Sequence, residues 1–430
     1  MKVYAEVYGC AASMADGEIA LGLLKQAGGE IVASPEDADV NIIVTCAVKG
    51  PTADRMVSRV RKLNSLGKPL IVAGCMASGE PRRIKQTAPR AFLLPPKEIT
   101  RITEAVAKLL GDGLNTPVEL EREVKLGLPR VRRNPVISII PVSEGCRWSK
   151  CSFCIVPKTR PGFGSFPIRL ILDEVRRSVA DGCREIWLTS QDMGSYGMES
   201  GRNLLPELLE SVNNVEGNFK VRVGMMNPIY LKPILPRLIQ AYKGEKIFKF
   251  LHLPVQSGSE RVLKSMNRGH GAGLYVEAVE CFRKELPELT LMTDIIVGYP
   301  TETERDFEET LEIIWRTKPD FVNVSRFFPR PGTPAENMKP QPPETVSRRI
   351  HRLNEVCEAA ALERNERWIG WTGEALVDEW GIKGNWICRN YAYKPIAIKT
   401  DKNLMGKIIE VEVTDAKTFH LEGKLKKILH

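Results

Sequence analysis

Three short apolar runs dominate the first quarter of the chain. Val3 to Tyr8, Val40 to Thr45 and Leu70 to Ala73 read as strands buried on both faces, each followed by apolar positions at helical spacing. Such an alternation predicts an open α/β domain with a parallel sheet over residues 1–112. From Val136 to Leu362 a strand-then-helix rhythm repeats: VISIIPV, EIWLTS, KVRVGM, IFKFLHLP, LTLMTDIIVG and FVNVSRF are the strands, with helices around Leu170 to Asp181 and Leu204 to Val212 among the intervening segments. Roughly six such units predict a complete or partial barrel of parallel strands with helices outside, spanning 136–362. The segment 366–430 changes to short strands and turn residues, which predicts a small antiparallel β-barrel. Between the first two units, 113–135 (GLNTPVELEREVKLGLPRVRRNP) is polar and broken by prolines, as a linker is. Its Arg130, Arg132 and Arg133 could touch phosphate or merely solvate the linker.

This topology places chemistry before any motif is named. Ligands of a parallel barrel or sheet collect at the C-terminal strand ends. SEGCRWSKCSFC, TSQD, MMNP, PVQSGS and VGYP fall there in the central unit. In the first unit Cys10, Cys46 and Cys75 each stand just past one of the three strands, so three thiols remote in sequence are expected to converge on one sheet edge. Gly9 and Gly74 precede two of them and let the backbone turn closely.

Composition narrows the class. A chain of 430 residues is expected to hold two or three domains, and 43% hydrophobic with 27% charged residues excludes disordered and fibrous classes. No run approaches the ~20 consecutive apolar residues of a bilayer span, and the N-terminus enters a strand directly, so a soluble cytoplasmic protein, with no membrane partner, is expected. The net charge of +9 suits a polyanionic partner only weakly. From Glu366 onward 11 Lys and Arg face 9 Asp and Glu, so the excess is not concentrated there. That segment does hold Trp368, Trp371, Trp380 and Trp386 beside Tyr391 and Tyr393, interleaved with Lys394, Lys399, Lys402, Lys424, Lys426 and Lys427. The mixture suits base stacking with phosphate neutralisation, or else the tryptophans fill a small core.

Ten cysteines in a reducing compartment point to metal binding or catalysis, not to disulfides. Cys183, Cys281, Cys357 and Cys388 stand alone and read as small buried hydrophobes. Cys146, Cys151 and Cys154 crowd together after the first barrel strand. A structural zinc wants a fourth Cys or His, and none lies within about twenty residues of them. Three thiolates suit a [4Fe–4S] cluster with one iron open to an exogenous ligand.

The stretch SEGCRWSKCSFCIVPKTR resembles the signature of radical S-adenosylmethionine (SAM) enzymes, with one residue more between the first two cysteines than the usual C-x3-C-x2-C. VYGCAASMADGE, VTCAV, AGCMA, EIWLTSQDMGSYG, GMMNP, FLHLPVQSGSERVLKSMNRGH, TDIIVGYPTETERDF and FFPRPGTPAENM resemble the methylthiotransferases in order and spacing, over nearly the whole chain. RRNP, LTSQDMGSYG and MMNP are most similar to the archaeal and eukaryotic branch, which acts on N6-threonylcarbamoyladenosine at position 37 of tRNA. Departures include Ala11-Ala12-Ser13, where many members have Gln-Met-Asn, and Thr301 in place of a usual glycine.

The resemblance implies an N-terminal methylthiotransferase domain, a radical SAM domain and a C-terminal TRAM-like RNA-binding domain. It implies two [4Fe–4S] clusters: one on Cys146, Cys151 and Cys154 that generates a 5′-deoxyadenosyl radical from SAM, and one on Cys10, Cys46 and Cys75 that carries sulfur. SAM would also serve as methyl donor. Thr189, Ser190 and Gln191 would meet the SAM ammonium, Gln256 and Ser257 its ribose or carboxylate, and Ile296 and Gly298 its adenine. The implied partners are the anticodon stem-loop of tRNA, an electron-donor protein and a sulfur donor, with a monomer expected. His252, among apolar neighbours, is assigned to the core. Rival functions are methylthiolation of isopentenyl-adenosine in tRNA or of a ribosomal-protein aspartate, and a non-catalytic RNA-binding protein stabilised by zinc.

Overall fold

The computed structural model describes residues 1–47, 50–111 and 124–430. Five strands, β1 (Lys2–Val7), β2 (Glu30–Ile31), β3 (Val40–Thr45), β4 (Leu70–Gly74) and β5 (Phe92–Leu94), form one parallel sheet in the order β2-β1-β3-β4-β5. Every residue of β3 and β4 is buried, as the unbroken apolar runs require. Helices α1 (Ala11–Gln26), α2 (Gly50–Asn64), α3 (Cys75–Gly79), α4 (Pro81–Thr87) and α5 (Ile102–Leu110) cover the sheet. Ile19, Leu24 and Val106 close one face, and Val60, Leu63 and Met76 the other.

The central unit begins with β6 (Ile137–Pro141), followed by an antiparallel ribbon of β7 (Ser143–Gly145) and β8 (Phe163–Ser165) that the sequence pattern did not disclose. Then come β9 (Glu185–Thr189), β10 (Lys220–Val223), β11 (Phe250–His252), β12 (Thr290–Val297) and β13 (Phe321–Arg326). They pair as two parallel triplets, β10-β9-β6 and β11-β12-β13, joined by a parallel bridge between Val221 and Ile247. The result is an open partial barrel. Helices α6 (Val156–Thr159), α7 (Ile168–Ala180), α8 (Leu205–Asn213), α9 (Leu235–Tyr242), α10 (Glu260–Ser265), α11 (Ala272–Glu285) and α12 (Glu304–Thr317) connect the strands. Alternate strand residues split cleanly: Leu188, Val221, Leu251, Leu291 and Ile295 are buried against the helices, while half-buried Trp187, Arg222, His252, Met292, Asp294 and Asn323 face the lumen. The PTETERDF motif starts α12 with a capping box between Thr303 and Asp306.

The 24-residue helix α13 (Pro343–Glu366) leads to the last unit. There β14 (Thr372–Trp380), β15 (Trp386–Arg389), β16 (Pro395–Ile398), β17 (Ile408–Ala416) and β18 (Leu421–Ile428) form a closed barrel in the order β14-β15-β16-β18-β17. Its pairs are antiparallel except β16 with β18, the parallel pair that closes it. Trp368 and Trp386 are in its core, whereas Trp380 is exposed.

Two sequence expectations need correction here. Part of the expected linker, residues 113–123, lies outside the described residues. Residues 124–135 are no solvated tether: Leu126 enters the barrel core, Arg130 pairs with Glu174 at 2.9 Å, Arg132 with Asp181 at 2.9 Å, and Arg133 Nη1 donates to the Val7 carbonyl. Arg130 and Arg132 are thus committed to carboxylates, whereas Arg133 remains exposed. Lys394, taken as a surface cation, is fully buried. Among the described residues no helix is long and apolar enough to cross a membrane.

Candidate active site

The β7–β8 ribbon carries the cysteine loop. Gly145, at φ +75°, ends β7 so close to the second strand's approach that a Cβ there would fall 1.6 Å from the Gly162 carbonyl. Only glycine fits. The extra residue between Cys146 and Cys151 is absorbed by Ser149, which adopts a left-handed φ of 44° while its hydroxyl donates back to the Cys146 carbonyl at 2.8 Å. Cys154 N donates to the Cys151 carbonyl at 3.1 Å, closing the turn. The loop is anchored to the segment after α10: Trp148 Nε1 donates to the Asn267 carbonyl and Ser152 N to the Met266 carbonyl. Arg268 Nη1 donates to Cys151 Sγ at 3.4 Å. The three thiols interact with one another, and burial together with Cys151 pushes the Cys154 thiol up to about 12.

The other three thiols stand past the ends of strands of the N-terminal sheet. Cys10 precedes α1, Cys46 follows β3, and Cys75 opens α3, all past one sheet edge. Cys75 interacts with both other thiols, and burial pushes it up to about 11 despite the nearby Arg160. Among the described residues no three Cys, His, Asp or Glu side chains stand close enough to share a single metal ion. A four-iron cube, whose irons each take one thiolate, asks for more widely spaced ligands and leaves one iron for a ligand that is not protein.

The two triplets face one another across a seam. At Gly79 in α3, a Cβ would meet Thr159 and Ile155 at 3.0 and 3.2 Å, so α3 lies directly on the segment following Cys154. Beside it a buried network joins three parts of the chain. Arg160 Nη2 donates to Asp16 Oδ2 at 2.5 Å, Lys125 Nζ donates to Asp16 Oδ1 at 2.7 Å, and both cations reach Glu144. Burial alone would raise the Asp16 carboxyl, but Arg160 and Lys125 outweigh it and hold it low. Arg160 is also within electrostatic reach of Cys75 and Cys10.

The residues expected around SAM are distributed unevenly. Thr189 ends β9 on the lumen side, and Gln191 Oε1 accepts from Gly145 N at 2.7 Å, binding the β9 end to the cysteine loop. Ser190 Oγ accepts from Asp192 N, an ordinary capping bond. Gln256 holds a left-handed φ of 76°, its backbone bracketed by Asp294 and Ile296. Ser257 is buried, with its hydroxyl on Thr310 of α12 and on Ser259 N, so that side chain is engaged outside the lumen. Ile296 and Phe153 of the cysteine loop pack against one buried cluster, Val262, Met266, Tyr299 and Phe327. Gly298 (φ +76°) is glycine because Val346 of α13 would lie 2.5 Å from a Cβ.

Sequence reasoning missed several residues here. His252 is not in the core: it faces the lumen, with Nε2 3.0 Å from Asp294 Oδ2, while Asn323 donates to Asp294 Oδ1 at 2.7 Å. Asp192, in the TSQD segment, is fully buried, accepts from Gly194 N and Asn227 N, and is pushed to about 7 by burial. Arg268 and Arg160 pair over more than a hundred positions, which no local pattern reveals. Below the His252–Asp294 layer, a cavity of about 640 Å³ is bounded by the barrel strands, by Met14 and Glu18 of α1, and by Asp378, Arg389 and Tyr393 of the C-terminal barrel. Arg222 lies there over the rings of Trp187, Phe250 and Tyr393, 4.8, 5.1 and 5.7 Å from their centres. All three units thus line one chamber, at the strand ends of the barrel opposite the cysteine loop: its walls include Ile137, Phe250 and Phe321, the first residues of β6, β11 and β13.

Known proteins resemble the chain part by part and as a whole. Residues 2–94 match the uncharacterized protein family UPF0004, 140–314 the radical SAM superfamily, and 366–426 the TRAM domain. A relative from Methanothermobacter thermautotrophicus, described as a probable threonylcarbamoyladenosine tRNA methylthiotransferase, is 38% identical over 97% of both chains. One from Pyrococcus horikoshii with the same description is 39% identical over 99% of both. The Drosophila melanogaster threonylcarbamoyladenosine tRNA methylthiotransferase is 33% identical, over 99% of this chain and 77% of its own. Among solved structures, the radical SAM methyltransferase TsrM of Kitasatospora setae, with cobalamin and a [4Fe–4S] cluster bound, shares the fold at a TM-score of 0.57 with 14% identity, over 78% of this chain and 77% of its own. With radical SAM and TRAM domains in these positions and relatives alike from end to end, the chain belongs to the threonylcarbamoyladenosine tRNA methylthiotransferase family.

Proposed function

We propose that the protein replaces the C2 hydrogen of N6-threonylcarbamoyladenosine at position 37 of tRNA with a methylthio group. The observation that carries this reading is the seam: two cysteine triplets on facing loops, past the C-terminal strand ends of the N-terminal sheet and of the barrel. An aromatic C–H cannot be removed by a side-chain acid or base, so the chemistry requires a cofactor. When bound on Cys146, Cys151 and Cys154, a [4Fe–4S] cluster supplies the electron that cleaves SAM to a carbon radical. Cys10, Cys46 and Cys75 would hold the second cluster, the source of sulfur.

The chain's own residues have distinct tasks in this scheme. Arg268 neutralises charge at Cys151, and Gln191 fixes the cysteine loop relative to β9. Asp16, Arg160, Glu144 and Lys125 hold the two thiol sets in register, because moving either loop would strip a buried charge of its partner. The lumen offers the polar set His252, Asp294 and Asn323 to a purine. Exposed Trp380 at the β14 end presents an aromatic face to RNA. An electron donor and a sulfur donor are required, and the tRNA substrate places the work in the cytoplasm. The test is the nucleoside profile of tRNA with and without the gene. Loss of 2-methylthio-N6-threonylcarbamoyladenosine alone supports the reading, while loss of a methylthiolated isopentenyl-adenosine, or of neither, refutes it.

A further inference from the structure

The chamber at the foot of the barrel serves no step of the methylthiolation. It lies at the strand ends away from the cysteine loop, and its volume of about 640 Å³ is in the range of small-molecule pockets. Phe250, Phe321, Met292 and Ile139 give it apolar walls, and Arg133, Glu379 and Phe419, the exposed members of its lining, mark its rim. Most of its charged groups are committed. Arg389 Nε donates to Asp378 Oδ2 at 3.1 Å and its Nη2 to Glu379 Oε2 at 3.4 Å, while Arg133 Nη1 donates to the Val7 carbonyl.

Arg222 is different. Alternation along β10 turns it into the lumen, between Val221 and Val223 of the core. Its guanidinium lies against the rings of Trp187, Phe250 and Tyr393, yet among the described residues it makes no ion pair and donates no hydrogen bond, and its Nε is buried without a partner. Ring faces offset part of the cost of taking the charge out of water, but they supply no lone pairs to its N–H groups. Held by three rings on the wall of a cavity, the guanidinium presents a pre-organised fork to an anion. Glu18, Asp378 and Glu379 line the same chamber, and Glu18, 3% exposed, leaves its Oε2 without a partner. Their field disfavours a dianion such as a phosphate monoester, and the apolar walls call for a hydrocarbon body.

We propose that this chamber binds a small monocarboxylate with a ring-sized apolar body, the carboxylate on the Arg222 guanidinium and the body against Phe321 and Met292. Glu18 of α1, the barrel strands and Asp378 of the C-terminal barrel share the wall, so the occupant braces all three units.

The probe is 3-phenylpropionate, titrated by calorimetry into the full-length holoenzyme with S-adenosylhomocysteine present to fill the SAM site. Wild type is expected to bind it with a Kd of about 1 mM or tighter and to melt at a higher temperature in its presence. R222Q should weaken binding about 10- to 100-fold, and R222K less, because lysine keeps the charge and loses the fork. R133Q, at the rim, should stay within about twofold of wild type. The amine and the alcohol of the same skeleton, 3-phenylpropylamine and 3-phenylpropanol, should bind at least about tenfold more weakly than the carboxylate. No binding to wild type, R222Q within about twofold of wild type, or a loss in R133Q instead of R222Q overturns the proposal. Phenyl phosphate binding more tightly than 3-phenylpropionate overturns the assignment to a monocarboxylate. Where R222Q does not fold, R222K and the wild-type analogue series decide: unchanged binding by R222K together with equal binding of carboxylate, amine and alcohol refutes the site, and a preference for the carboxylate that R222K diminishes supports it.

Discussion

Asp320 lies at the junction of the barrel, α13 and the C-terminal domain, and its removal should uncouple them. Its Oδ1 accepts from Lys394 Nζ at 2.6 Å and Arg364 Nε at 3.3 Å, its Oδ2 from Leu291 N at 2.7 Å, and Arg283 stands 3.9 Å away. Burial alone would raise this carboxyl, yet Lys394 and Arg364 hold it below the usual range. Burial conversely pulls Lys394 down against the attraction of Asp320. Asp320→Asn leaves three clustered cations facing no carboxylate, which should cost about 3–5 kcal/mol. Lys394→Met keeps Arg364 and Leu291 N on the carboxylate, so about 1–3 kcal/mol is expected. Urea unfolding followed by tryptophan fluorescence reads the difference, since four of the seven tryptophans lie in or beside the C-terminal barrel. The pH dependence has a definite sign. In wild type, the Asp320 contribution is complete above the ordinary carboxylate range and disappears as pH falls below it. In Asp320→Asn, stability should instead rise in alkali, where Lys394 sheds its proton. A loss for Lys394→Met equal to or greater than that for Asp320→Asn, or both variants within about 0.5 kcal/mol of wild type, would refute the charge argument.

Three further outcomes are expected. Cys146→Ser should abolish 5′-deoxyadenosine formation from SAM under reduction, whereas Cys46→Ser should retain it and lose methylthio transfer; equal SAM cleavage by both would contradict the division of roles. Glu185, pushed up to about 8 by burial and by Asp378, takes a proton on folding, so it stabilises most at low pH and progressively less as pH rises from its ordinary range through about 8. Melting temperatures across that range should fall in wild type and flatten in Glu185→Gln. Trp380→Ala should weaken tRNA binding by up to about 1–3 kcal/mol, measured at one fixed salt concentration, with little change in melting temperature because the ring is half exposed.

What was legible in the sequence was what local pattern encodes. β3 and β4 are apolar on both faces, and each of Cys10, Cys46 and Cys75 follows a strand directly, so both the sheet and the convergence of thiols could be read. Six strand-like runs sufficed for the barrel. His252 was misread because β11 is three residues long and the lumen it enters is walled by Phe250 and Met292, so apolar neighbours did not mean a core position. Gly298 signalled a close approach, and the structure shows that Val346 is what approaches.

Charge was the least legible property, and for one physical reason. A lysine or arginine in a sequence defaults to a solvated side chain, because burial requires a partner that local pattern cannot show. Arg160 finds Asp16 across 144 positions, Lys125 finds it across 109, and Lys394 finds Asp320 across 74. The first and third of these pairs each join two of the three units, and the second ties the connecting segment back to the first unit. The buried cations therefore fix how the units face one another, and they are not available to RNA. Yet carboxylates are buried with them: among the described residues seven lysines and arginines are buried against eleven aspartates and glutamates, so the net charge of +9 is not consumed by the seams and stays on the surface a tRNA can meet. Recognition of tRNA can accordingly draw on exposed cations for phosphate as well as on aromatic faces such as Trp380, and the buried pairs serve to hold the units in place.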